Sequence, residues 1–130
     1  MADYARTADN AVPNVDDSEL GGVLQDLAGF HRGIDLIRDG LRLLARDRLT
    51  VDQTQTLCAV LAGSEGVDLL TAVGLLVQRL TTADTNPCLR ILDDEQRKTA
   101  ALHGERLVFD LADPDLHQHA SEAAAAIDGN

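Results

Sequence analysis

Hydrophobic residues recur at alternating steps of three and four between residues 20 and 44, and glycines follow a second line beside them. Because an α-helix advances by ~100° per residue, each set falls on one narrow stripe of a helix, and the two stripes are adjacent. We call the second stripe the glycine seam. The hydrophobic stripe comprises Leu20, Val23, Leu27, Phe30, Ile34, Ile37, Leu41 and Leu44, and the seam comprises Gly22, Gly29, Gly33 and Gly40. The pattern predicts one helix from about residue 18 to Arg46, along which a second helix can pack closely.

The glycines also weaken this predicted helix, because each costs ~1 kcal/mol relative to alanine. Burial of the hydrophobic stripe offsets such a cost, so we favour one continuous helix over a break at Gly29, Gly33 or Gly40. The seam then packs either against a helix of the same chain that carries Gly74 or against its own copy in a homodimer. The predicted contact residues of the seam are Gly22, Gly29, Gly33, Gly40, Ile34, Ile37 and Leu41.

Capping signals predict the next two helices. Thr50 and Gln53 match a capping box, and Gly63 supplies a left-handed stop, which together predict a short second helix. Ser64 opens a predicted third helix that reaches about Leu80. This helix is apolar on almost all sides, so we expect it at the centre of a bundle.

The last third of the chain carries further helix starts. The Asn-Pro pair at 86–87 predicts the start of a fourth helix, and the aspartates at 93–94 either interrupt it or cap it again. Residues 105–112 fit a strand as well as a helix, and we favour a helix because a lone strand has no partner. The Asp-Pro pair at 113–114 predicts a final helix that runs to Ile127.

Composition sets the fold class. The chain has 130 residues, is 45% hydrophobic and contains Tyr4, Phe30 and Phe109 as its aromatic residues, so its core is aliphatic and suits helices. We expect an all-α, single-domain helical bundle of four to six helices at residues 18–130. Residues 1–17 are polar and acidic, which predicts a flexible tail.

The net charge of −11 disfavours binding to nucleic acids and to anionic membranes. Arg38, Arg42 and Arg46 nevertheless recur every four residues and form what we call the basic ridge. The ridge fits ion pairs in solvent, docking of an acidic tail or partner, or nucleic acid, and the interleaved Asp35 and Asp39 favour the first. No apolar segment approaches the ~20 residues of a membrane span, so we expect a cytoplasmic protein without a membrane partner.

Two histidines are the most conspicuous candidates for chemistry. His117 and His119 lie near Asp113 and Asp115, but residues two apart on a helix point about 200° away from each other and cannot share one metal ion. We therefore expect two pairs on the helix surface, Asp113 with His117 and Asp115 with His119. The sequence predicts no metal site.

Catalytic and cofactor motifs are not evident either. The acidic residues at 93–95 are typical of a solvated helix start, and Cys58 and Cys88 are expected to be free thiols. The chain has no phosphate-binding or dinucleotide-binding glycine pattern. We therefore predict no catalytic residue and no cofactor.

These observations favour a small, acidic, non-catalytic interaction or regulatory module that binds a protein partner of unknown identity or forms a homodimer. One alternative is a regulator associated with nucleic acid, which either binds DNA through the basic ridge or imitates DNA with its acidic surface. A second alternative is a helical bundle that binds a small ligand.

Overall fold

The structure is a computed structural model that describes residues 11–128. Those residues form six α-helices and no strand, which confirms the predicted all-α class. The helices are α1 (Glu19–Asp26), α2 (Arg32–Arg46), α3 (Val51–Cys58), α4 (Leu69–Leu80), α5 (Asp94–Leu111) and α6 (Pro114–Ile127). A π-helical turn, Ala59–Gly63, extends α3, and 3-10 turns occupy Val15–Asp17 and Pro87–Ile91.

Backbone contacts divide the chain into two compact units, Met1–Leu49 and Thr50–Asn130. The division falls inside the predicted domain 18–130, and no sequence signal marked it. Residues 1–10 of the predicted acidic tail lie outside the described residues. The rest of that segment includes the 3-10 turn Val15–Asp17, in which Val15 is buried.

In the first unit, the prediction of one continuous helix is wrong. The chain breaks between α1 and α2, where Gly29 adopts a left-handed conformation with φ of 89°, as glycine does at helix ends. The amide of Gly29 donates to Asp35 Oδ1 at 3.0 Å. His31 then caps α2, because its Nδ1 accepts from the amide of Gly33 at 2.8 Å. The alternative of a break at Gly29 is the observed one.

The glycine seam is therefore not a single line. Gly22 lies in α1, Gly29 in the turn, and Gly33 and Gly40 in α2. A Cβ atom added at Gly22, Gly29 or Gly40 would have no neighbour within 4 Å in the described residues. The close approach in this unit is at Gly21 instead, where an added Cβ would lie 2.1 Å from the carbonyl oxygen of Val15. Gly21 thus lets the 3-10 turn pack onto α1.

In the second unit, α3 begins with the predicted capping box of Thr50 and Gln53. Gly63 does not stop it in the left-handed conformation, since Gly29 and Gly66 are the described glycines with positive φ. Instead, the π turn brings Gly63 against α6, where an added Cβ would lie 3.0 Å from the amide nitrogen of Ser121. The helices α3 and α6 pack together along this contact.

The helix α4 starts at Leu69 rather than at Ser64, because Asp68 is the N-cap. It packs against α5 at two glycines. An added Cβ would lie 2.8 Å from Leu111 Cδ1 at Gly74 and 2.0 Å from Thr81 Oγ1 at Gly104. The opposite face of α4 is exposed, so the expectation of a central helix is wrong: Leu69, Val73, Leu76 and Leu80 are 40–51% exposed.

The remaining elements of the second unit agree more closely with the predictions from the sequence. The Asn-Pro pair at 86–87 opens only the 3-10 turn Pro87–Ile91, and Asp93 caps α5 anew with a capping box. Residues 105–112 are helical up to Leu111, which confirms the favoured alternative. Asp113 caps α6, which ends at Ile127 as predicted.

Candidate functional site

The most deeply buried polar side chains among the described residues are Asp68 and His117, which are 4% and 3% exposed. Their side chains contact each other, with His117 Nδ1 2.7 Å from Asp68 Oδ2. Asp68 is the N-cap of α4, and His117 lies in the second turn of α6. The pair therefore joins α4 and α6 through residues that lie 49 positions apart in the sequence.

Each carboxylate oxygen of Asp68 has donors from its own segment. Oδ1 accepts from the Thr71 amide at 2.9 Å and from the Thr71 hydroxyl at 2.7 Å. Oδ2 accepts from the Ser64 amide at 3.1 Å, in addition to His117. Burial by itself raises the pKa of Asp68, but the hydrogen bonds from Thr71, Ser64 and His117 outweigh it and lower the pKa to about 2. The carboxylate is ionised at neutral pH.

Both ring nitrogens of His117 face acceptors. Nδ1 donates to Asp68 and to the carbonyl oxygen of Ala62, which is 2.9 Å away. Nε2 donates to the carbonyl oxygen of Leu111. A neutral imidazole carries one N–H group, whereas these contacts need two. The Leu111 carbonyl raises the pKa of His117 most, against the opposing effect of burial, and the Ala62 carbonyl and Asp68 raise it further.

This geometry decides what His117 can do chemically. A histidine that serves as a general base needs one ring nitrogen within reach of a substrate or a nucleophile. In His117 both nitrogens are bonded to protein acceptors inside a buried site. The Asp68–His117 pair is therefore suited to holding helices together rather than to proton transfer with a substrate.

The predicted surface pairs are not formed as expected. His117 is buried and pairs with Asp68, which the sequence analysis did not single out. Asp113 accepts a hydrogen bond from the amide of Asp115 at 3.0 Å as the N-cap of α6. The spacing of four residues predicted Asp113 as the partner, on the assumption that His117 lies on the helix surface. His117 is buried instead, and its ring is directed at Asp68. His119, by contrast, is exposed.

We expect acid to weaken the second unit through Asp68. Its pKa is lower in the folded protein than the ordinary value of 3.8, so its contribution to stability is present above pH ~4 and is lost as the pH falls towards 2. The expected loss is about 2 kcal/mol in the free energy of unfolding. Urea titrations of the wild type and of Asp68→Asn at pH 6 and pH 2.5 measure this loss. If the wild type exceeded Asp68→Asn by the same free energy of unfolding at both pH values, the prediction would be contradicted.

The second candidate feature is the surface of α2. This helix contains no buried residue. Ile34, Ile37, Leu41 and Leu44 lie along one side at steps of three and four, and we call them the apolar face of α2. Ile34 and Ile37 are 36% and 46% exposed, and Leu41 and Leu44 are half-buried. Five of the predicted seam residues, namely Gly33, Gly40, Ile34, Ile37 and Leu41, share this one helix.

The basic ridge also lies on α2. Arg42 forms an ion pair with Asp16 of the 3-10 turn Val15–Asp17, and Arg38 lies 3.5 Å from Asp39. Arg46 is in the last turn of the helix. Two of the three arginines thus have carboxylate neighbours, and Arg42 docks an acidic residue of the predicted tail.

The remaining candidates offer little chemistry. Cys58 is half-buried, Cys88 is exposed, and both are free thiols. In the part of the chain from 11 to 128, no group of three or more His, Cys, Asp or Glu residues is arranged to hold a metal ion. An open groove of about 560 Å³ lies at the corner between α5 and α6 and is lined by Phe109, Asp110, Ala112, Asp113 and Pro114.

Comparison with family models, curated proteins and solved structures found no match for this chain. A search of the described helices found none that combines the length and the apolar character needed to cross a bilayer.

Proposed function

We propose that this protein is a non-catalytic interaction module that forms a homodimer through the apolar face of α2. The observation that carries the proposal is that α2 buries none of its residues, although its apolar face and its charged residues lie on different sides of the helix. An amphipathic helix is stable mainly because its apolar face is covered. A helix of this kind needs a partner surface.

A second copy of the chain fits this surface. The apolar face is spaced at steps of three, four and three, so its spacing is the same read from either end. A two-fold axis at its centre brings Ile34 opposite Leu44 and Ile37 opposite Leu41 of the second copy, as an isologous interface requires. The four residues carry no charge, and no neighbouring atom lies within 4 Å of the open side of Gly40 in the described residues. Two copies can therefore approach without repulsion at the centre.

Two further features support this assignment and its cellular setting. Both cysteines are free, which suits the reducing cytoplasm. The net charge of −11 keeps the module away from nucleic acids and anionic lipids. A partner is therefore expected to recognise the apolar face rather than a charged one.

The test is the mass of the full chain in solution, measured by light scattering or sedimentation equilibrium. We expect the wild type to have twice the monomer mass of 13.9 kDa. Ile37→Asp should weaken the dimer by at least about 100-fold, because it buries an unpaired carboxylate in the interface of both copies. The measurement is the dissociation constant over a dilution series.

Leu43→Asp is the matched control. Leu43 lies on the same helix and is 53% exposed, close to the 46% of Ile37, but it is outside the apolar face. This variant should remain dimeric, and the helix content of both variants should equal that of the wild type by circular dichroism. A monomeric wild type, or equal effects of both substitutions, would refute the proposal.

A further inference from the structure

The ring of His117 contacts three other elements of the second unit near the start of α6. Its ring contacts the carbonyl oxygen of Ala62 in the π turn, the carboxylate of Asp68 at the start of α4, and the carbonyl oxygen of Leu111 at the end of α5. Backbone packing pairs α4 with α5, and α6 with α3 and the π turn, and the π turn also contacts α4. The ring adds a side-chain link from α6 to the start of α4 and to the end of α5.

The three acceptors constrain the charge of the ring. The two carbonyl oxygens and the ionised carboxylate cannot donate a hydrogen, so in each of these three contacts the N–H group must come from His117. The imidazolium provides two N–H groups and satisfies all three acceptors. A neutral ring leaves one nitrogen lone pair facing an acceptor in a residue that is 3% exposed, and a buried polar group without its hydrogen bond is costly.

We propose that His117 is a pH-sensitive latch, which holds α6 against the π turn, α4 and α5 as an imidazolium and releases α6 when it loses its proton. The latch is independent of the apolar face of α2, because all of its residues belong to the second unit. Its failure and the failure of the proposed dimer are therefore separate outcomes.

One charged group contacts the ring, the carboxylate of Asp68 at the start of α4. The other charged or titratable side chains of the surrounding elements are exposed, except for the half-buried Cys58 and Arg97. They are Asp52 and Cys58 on α3, Glu65 before α4, Arg79 on α4, Asp93, Asp94, Glu95, Arg97, Lys98, His103, Glu105, Arg106 and Asp110 at α5, and Asp113, Asp115, His119, Glu122 and Asp128 at α6. The proton on His117 is therefore controlled chiefly by Asp68 and the two carbonyl groups.

The direction of the pH effect follows from linkage. The pKa of His117 is raised above its ordinary value of 6.5 in the folded protein. The contribution of the latch is complete below pH ~6.5 and is lost as the pH rises through the raised pKa. Between these two values, release of α6 is coupled to loss of one proton, so the population of the released form increases tenfold per pH unit.

Hydrogen exchange of the full chain tests the latch. Protection of the α6 amides is measured from pH 6 to pH 9 and corrected for the base-catalysed exchange of an unstructured peptide. We expect the corrected protection of α6 to fall tenfold per pH unit between pH ~6.5 and the raised pKa of His117 and then to level off. The amides of α5 should lose less protection over the same range. Nitrogen spectra of the ring should show both nitrogens protonated at pH 6.

Two glutamine variants complete the test. His119→Gln changes the exposed histidine two residues away and should keep the pH dependence, whereas His117→Gln should abolish the slope even if it lowers α6 protection at every pH. A neutral His117 ring at pH 6 would overturn the proposal. An unchanged slope in His117→Gln would also overturn it, because another group would then cause the pH dependence. A loss of α5 protection equal to that of α6 would overturn it as well, because α6 would then not be released separately.

Discussion

Replacing Asp68 with alanine should lower the free energy of unfolding by about 3–5 kcal/mol, because it removes the partner of a buried charge. His117 is 3% exposed, and without the carboxylate its imidazolium faces two carbonyl oxygens with no counter-charge. The substitution also leaves the Ser64 and Thr71 amides without the acceptor that they have in the wild type. Urea denaturation at pH 6, followed by circular dichroism, measures the change.

Asp93→Ala is the matched control for this prediction. Asp93 is also the N-cap of a helix, and its Oδ1 accepts from the Gln96 amide at 2.8 Å, as Asp68 Oδ1 accepts from the Thr71 amide at 2.9 Å. Asp93 is exposed, so its loss should cost about 1 kcal/mol, the usual value of a cap. The additional loss in the free energy of unfolding in Asp68→Ala, relative to Asp93→Ala, measures the contribution of the buried Asp68–His117 pair. Equal losses in the two variants would show that His117 is not held as an imidazolium.

The difference between these two aspartates also explains which helix starts the sequence could reveal. The caps at Thr50, Asp93 and Asp113 were predictable, because a cap depends on residues two or three positions away. The start of α4 was not. Ser64 and Asp68 are both good N-caps, but Gly66 between them adopts a left-handed φ of 86°, so the helix starts after Asp68, whose Oδ1 accepts from the Thr71 amide.

The buried pair left a weak signal in the sequence. Asp68 is the one charged residue between Val67 and Val77, within the most hydrophobic stretch of the chain, and an isolated carboxylate there requires a partner. His117 offered no matching signal, because Asp113 stands four residues before it and fits an ordinary pair on a helix surface. The sequence could therefore have identified a buried carboxylate but not the histidine that neutralises it.

The glycines also show that a local sequence pattern does not determine which elements pack together. Close helix packing through glycine was expected at the seam, but the structure uses Gly63, Gly74 and Gly104 for it. A periodic line of glycines indicates that a helix can be approached closely, and it does not say whether another element is present. A glycine can also end a helix, and spacing does not reveal which glycine does so. Gly29 has a left-handed φ in the turn after α1, whereas Gly22, on the same predicted line, lies inside α1.

Adjacent glycines in α1 should respond in opposite directions to the same substitution. Gly21→Ala places a Cβ 2.1 Å from the Val15 carbonyl oxygen and 2.8 Å from Asp16 Cα. Both are backbone atoms that cannot rotate away, so the 3-10 turn Val15–Asp17 has to move off α1. The expected cost is about 1–3 kcal/mol, despite the better helix propensity of alanine. Urea denaturation measures it, together with hydrogen exchange at the Ser18 amide, which is bonded to Val15 in the wild type.

Gly22→Ala tests the same helix without the collision. The Cβ of this variant meets no atom within 4 Å in the described residues, so alanine should stabilise the protein by about 0.5–1 kcal/mol through its helix propensity. The contrast isolates packing from propensity, because the two positions are neighbours on one helix. If both variants were stabilised, the 3-10 turn would not be held on α1, and the ion pair between Arg42 and Asp16 would lose the docked segment on which it depends.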